Sequence, residues 1–136
     1  AKLALTEAEK ALEHDPNNGA ALSVAARALA GLGDAQGAKA MIDRGLLLDP
    51  DNLNMCYNLA SVYAAELHDP ESALALLEPT MAKVSGALIR WVDIDPDVDS
   101  LRGDPRFISI VAEAKERIAK AQVEPAQATS ATPAAS

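Results

Sequence analysis

The chain has 136 residues, a formal charge of −8 and a single cysteine. This length suits one domain with a modest core, the acidity argues against a phosphate-backbone partner, and a lone Cys56 excludes an internal disulfide or a multi-cysteine zinc site and fits a reducing, cytoplasmic setting. Hydrophobic residues make up 49% but aromatics only 3%, an alanine-rich balance that favours close-packed helices over a β-sandwich.

Residues 2–16, KLALTEAEKALEHDP, form a first amphipathic stretch that stops at Asp15-Pro16. Residues 19–52 read as two amphipathic helices separated by Gly31-Leu32-Gly33-Asp34. Gly33 can end the first helix in a left-handed conformation and Asp34 can N-cap the second. Asp15-Pro16-Asn17-Asn18 recurs as Asp49-Pro50-Asp51-Asn52, 34 residues later. A further unit covers 53–86, with one extra residue in its turn near Glu66-Leu67-His68. Pro79 is expected to end or kink the helix begun at Asp69-Pro70-Glu71, because proline lacks an amide donor and restricts Glu78 before it. A shorter helix is expected over Ala87–Val92. Asp104-Pro105 then signals the start of a long helix reaching about Ala121, with Phe107, Ile108, Val111, Ala112, Ala114 and Ile118 on its apolar face. These elements group as a repeat domain over 1–122, its last unit at 87–122 degenerate. The final segment, 123–136, is poor in bulky apolar residues and reads as a disordered tail. No apolar run approaches the roughly 18 to 20 residues of a membrane span, and no signal segment opens the chain.

The run DPDVDSLRGDPRF at 95–107, preceded by Asp93, looks most like chemistry. A calcium loop would take Asp93, Asp95 and Asp97 as its first ligands. It would then need glycine where Val98 stands, and a longer closing acid than Asp104. A carboxylate-pair enzyme needs two acids in differently tuned, cleft-like environments, which a polar loop does not supply. His14 and His68 fall at helix ends or turns, and Cys56 falls on the core side of its helix. No phosphate-binding glycine loop is present. The residues therefore point to no catalytic group, no metal and no cofactor. The structural reading is a terminal cap: Asp97 or Asp99 caps a short turn carrying Leu101 inward, Asp104 caps the last helix, Arg102 and Arg106 neutralise neighbouring aspartates, and Phe107 anchors the helix.

The unit at 19–52 resembles a tetratricopeptide repeat, whose pattern is W-x2-L-G-x2-Y, then A-x3-F, then P. Leu22, Ala25, Ala26 and Leu29 stand in the first block, Ala38 and Ile42 in the second, and Pro50 in the third. The next unit supplies Cys56, Leu59, Ala60 and Tyr63, then Ala73 and Leu77. Ala4, Ala8 and Pro16 fit the back half of a repeat, so the chain is expected to enter the fold in mid-repeat, as a C-terminal piece of something larger. The resemblance implies an all-α superhelix of helix pairs with a C-terminal capping helix, and a noncatalytic module that binds a protein or peptide, or mediates self-association, with no nucleic acid and no membrane insertion. Its concave groove would be lined by first helices, with Ala20, Ser23, Val24, Arg27 and Ala30 outward in the first unit and Asn54, Tyr57, Asn58 and Ser61 in the second. Asn58 stands where peptide-binding members use asparagine on the ligand backbone. Arg27 could meet a carboxylate, although Ser23 replaces the lysine of the carboxylate-clamping members. Arg90 and Trp91 form one further candidate patch. Pro50-Asp-Asn-Leu-Asn-Met, the Leu77-Glu78-Pro79 break and the 95–107 run together resemble the C-terminal repeat regions of bacterial class III adenylate/guanylate cyclases. That implies a docking or regulatory part of a signalling protein. The alternative is a stand-alone adaptor in envelope or secretion assembly.

Overall fold

The computed structural model describes residues 1–131, with side chains described as far as residue 122. Seven α-helices and one 3-10 helix follow one another, with no strand among the described residues: α1 (Lys2–His14), α2 (Gly19–Gly31), α3 (Ala35–Leu48), α4 (Leu53–Ala65), α5 (Pro70–Met81), α6 (Gly86–Ile94), the 3-10 helix η1 (Pro96–Leu101) and α7 (Pro105–Ala131).

Short polar side chains start these helices by accepting amides that no earlier turn can reach. Asn18 accepts from Ala21 N at 3.1 Å, Asp34 from Gly37 N at 2.8 Å, Asn52 from Met55 N at 3.1 Å and Asp69 from Ser72 N at 3.1 Å. Thus the last asparagine of each recurring Asp-Pro-Asx-Asn sequence is the cap of the next helix. Gly33 lies at φ 87° and His68 at φ 51°. Each takes the left-handed step that reverses the chain, just before a capping aspartate.

The elements pack in two layers. On one side α2 lies against α4 and α4 against η1; on the other α5 lies beside α7. Within pairs, α1 packs on α2, α2 on α3, and α4 on α5. Small side chains permit this spacing: Ala26, Ala38, Ala60 and Ala73 are completely buried, and Leu22, Ile42, Leu59 and Leu77 fill the space between them. At Gly45 of α3, a Cβ would come within 3.2 Å of Leu59 Cδ1 and 3.3 Å of Met55 Sδ, so α4 approaches backbone that carries no side chain.

The last unit departs from the pattern. The α2–α3 connection takes three residues, whereas α6 and α7 are joined by ten, 95–104, which contain η1. η1 is the main neighbour of α4 on that side, continuing the α2–α4 layer, while α6 packs chiefly on α7. α5 and α7 run in the same direction: Arg106 meets Glu71, and Arg117 meets the carbonyls of Met81 and Val84. α7 therefore occupies the place of another second helix, and η1 that of a shortened first helix.

Three expectations need correction. Pro79 does not end α5, which continues to Met81. Proline here deprives only the last turn of a bond, Ala75 is exposed to water, and the Thr80 hydroxyl donates to Leu76 O at 2.8 Å. α6 is longer at both ends than Ala87–Val92. α7 runs past the expected end near Ala121 to Ala131; of the segment expected as a tail, 123–136, residues 132–136 lie outside the described residues.

Candidate partner-binding surface

The acidic run is anchored in the core through Asp95, Val98 and Leu101, while Asp93 and Asp99 stay exposed. Val98 and Leu101 are fully buried, and Asp95 is only 3% exposed. Asp95, not Asp97 or Asp99, caps η1: its Oδ1 accepts from Asp97 N at 3.0 Å, and its Oδ2 accepts from the Tyr57 hydroxyl at 2.6 Å. The reason is register, since the cap must precede Pro96, the first residue of η1. Arg102 closes the turn from the other side, donating to Asp99 at 2.8 Å, Val92 O at 2.9 Å and Asp95 O at 2.7 Å. Asp104 accepts from Arg106 N at 2.9 Å, and the Arg106 guanidinium bridges Asp104 and Glu71. That guanidinium holds both carboxyls below the usual carboxylate range. Phe107 is 4% exposed and lies in the same cluster as Tyr57, Val98 and Leu101. Each aspartate from 95 to 104 thus has a cap or an ion pair, and no group of three or more metal-ligating side chains stands together among the described residues.

The expected groove residues divide into two sets. Tyr57 and Ser61 depart from the expected surface positions: each is 1% exposed, Tyr57 held by the Asp95 cap of η1 and Ser61 lying under the Arg27 guanidinium. Burial and the Asp95 carboxylate push the Tyr57 phenol well above its ordinary pKa. Ser23 is buried too, its hydroxyl donating to Gly19 O at 2.9 Å. Arg27 reaches the layer surface but is already engaged, with Ser61 Oγ at 2.9 Å, Glu66 at 3.2 Å and Asp97 at 3.1 Å. It ties α2, α4 and η1 together instead of waiting for a ligand carboxylate. Asn54 and Asn58 remain exposed. Trp91, of the further candidate patch, is also exposed, at 46%.

What stays open on the α2–α4 layer is a groove of about 460 Å³ bounded by Ala4, Ala20, Ser23, Val24, Arg27 and Asn58. Its walls are mostly small and apolar. Val24 is 44% exposed, and the Asn58 amide has no hydrogen bond within the described residues. Of these, Ala4 was absent from the sequence-based site. Helical spacing marks Val24 as adjacent to the Ser23–Arg27 stripe, but only the docking of α1 on α2 turns that stripe into a concavity.

Residues 1–59 match the family model of the tetratricopeptide repeat. No curated protein and no solved structure matches the chain. The paired-helix architecture is of the tetratricopeptide-repeat type. Repeats of this type mediate protein–protein contacts, because stacked helix pairs expose an extended surface rather than an enclosed reaction centre. No helix of the described residues is long and apolar enough to cross a membrane.

Proposed function

We propose that this chain is a noncatalytic docking module that receives an extended segment or short helix of a protein partner in the groove between α1, α2 and α4. The observation that carries this reading is Asn58. It is an exposed amide, free to donate and to accept, beside a wall of small apolar side chains. Val24 and the alanines would receive small apolar side chains, while Asn58 would hold the partner's backbone. The wider reading, a C-terminal docking region of a larger bacterial signalling protein such as a nucleotide cyclase in the cytoplasm, rests on the sequence resemblance of the 95–107 run and on the lone cysteine.

Photo-crosslinking in cells provides the test, with the reactive residue placed at position 24, 58 or 47. Leu47 is 82% exposed and lies on α3, outside the groove. A crosslinked partner from 24 and 58 but not from 47 is expected. Equal yields from 47, or none from 24 and 58, would remove the groove from consideration. A crosslink to a second copy of the chain would show self-association through this surface.

A further inference from the structure

A second surface lies on the other layer. α5 presents Glu71, Leu74, Ala75 and Glu78, and α7 presents Arg106, Ser109, Ile110 and Glu113, all lining one depression of about 520 Å³. Both sets follow the same i, i+3, i+4, i+7 spacing, so each forms a single stripe along its helix. Because α5 and α7 run in the same direction, the stripes face each other in register, at an offset of 35 residues in the Arg106–Glu71 pair. The depression continues past Glu78 and Glu113 to Met81, Ala82 and Arg117, where a further volume of about 250 Å³ opens.

Its floor is apolar and its rim is acidic. Leu74 is 5% exposed and Ile110 half-buried, while the short side chains of Ala75 and Ala82 leave the space above them empty. The cations on this surface are already committed: Arg106 to Glu71 and Asp104, Arg117 to the carbonyls of Met81 and Val84. Glu78 has no ion pair among the described residues, and Glu113 has only the Ser109 hydroxyl at 3.5 Å. Along the groove four carboxylates (Glu71, Glu78, Asp104 and Glu113) therefore meet two guanidiniums, Arg106 and Arg117, which leaves an acidic excess.

We propose that this α5–α7 groove is a second docking surface, and that its occupant is a short basic amphipathic helix of a partner protein. The occupant's aliphatic side would lie on Leu74, Ala75 and Ile110, and a lysine or arginine would reach Glu78 and Glu113. The length from Glu71 to Ala82, about three helical turns, suits such a segment. Charge complementarity selects it over an acidic or neutral one, and the acidic chain as a whole would speed its encounter. This surface is separate from the α1–α2–α4 groove.

The experiment is a titration of the full, isotope-labelled chain, followed by amide NMR shifts, with a synthetic helix-forming peptide of leucine and lysine at amphipathic spacing. A leucine–glutamate counterpart serves as control. The expected result is a set of shifts confined to α5 and α7 for the basic peptide and none for the acidic one, with at least a tenfold loss of affinity in the E78K/E113K double variant. Both positions are exposed, and circular dichroism checks that the variant keeps its helices. Shifts spread over the whole acidic surface, shifts in the α1–α2–α4 groove instead, or undiminished binding by the double variant would each overturn the proposal.

Discussion

The Tyr57 hydroxyl donates to Asp95 Oδ2 at 2.6 Å, and both side chains are almost completely buried. This bond joins α4 to the cap of η1, so the element that covers the end of the α2–α4 layer is fastened by a buried phenol as well as by the Arg27–Asp97 ion pair. Asp95 Oδ1 simultaneously holds the first amide of η1. Removing the phenol oxygen would leave a buried carboxylate short of a donor. We expect Tyr57→Phe to destabilise the fold by about 1–3 kcal/mol, measured by urea unfolding at neutral pH. A change of only a few tenths would mean that water replaces the hydroxyl without penalty.

The same pair predicts an alkaline limit. The folded pKa of Tyr57 is raised, first by burial and then by Asp95, so the folded state keeps a proton that the unfolded chain gives up. That contribution is complete below the unfolded pKa of about 10 and is lost as pH rises beyond it. Burial raises Tyr63 as well. Thermal unfolding from pH 8 to 11 should show stability falling above about pH 10, and less steeply in Tyr57→Phe. Identical slopes in the two proteins would show that Tyr57 is not the titrating group.

Phe107 tests the docking of α7. The ring is 4% exposed and packs in the cluster that holds Leu77, Val98 and Leu101. Phe107→Ala should cost about 3–5 kcal/mol, through lost transfer energy and the cavity left behind. A loss below about 1 kcal/mol would mean that α7 is anchored by Arg106 and Arg117 rather than by the ring.

Arg27 and Asn58 should behave oppositely. Arg27→Ala breaks the contacts that link α2 to Ser61, Glu66 and Asp97. Because these groups are about one-third exposed, solvent screening limits the expected loss to about 1 kcal/mol. Asn58→Ala touches no such network and should leave stability within about 0.5 kcal/mol, yet reduce crosslinking to the partner several-fold. A destabilised Asn58→Ala variant would show that its amide serves the fold.

Much of this architecture was legible because it depends on neighbours along the chain. The cap at Asp34 and the helix start at Asp69 act within three residues, and alanines at regular intervals report how closely helices can lie. The turn before Asp69 was less plain, since His68 takes the left-handed conformation that Gly33 adopts more easily. The site was legible only in part. Arg27 and Asn58 lie on the α2–α4 layer, whereas Tyr57 and Ser61 are buried beneath its surface. Periodicity gives the side of a helix on which a residue lies, not whether a distant segment covers that side.

By itself, the sequence determined the helical repeat: its small-residue spacing, its capped starts and the acidic balance of the chain are all short-range or compositional facts. Only the tertiary structure decided that residues 95–101 fold onto α4, that Arg27 is spent on internal partners, and that α5 and α7 lie in register to form a groove. Those outcomes depend on contacts between residues 33 to 70 positions apart, and the energy of such contacts depends on which surfaces the whole chain leaves uncovered.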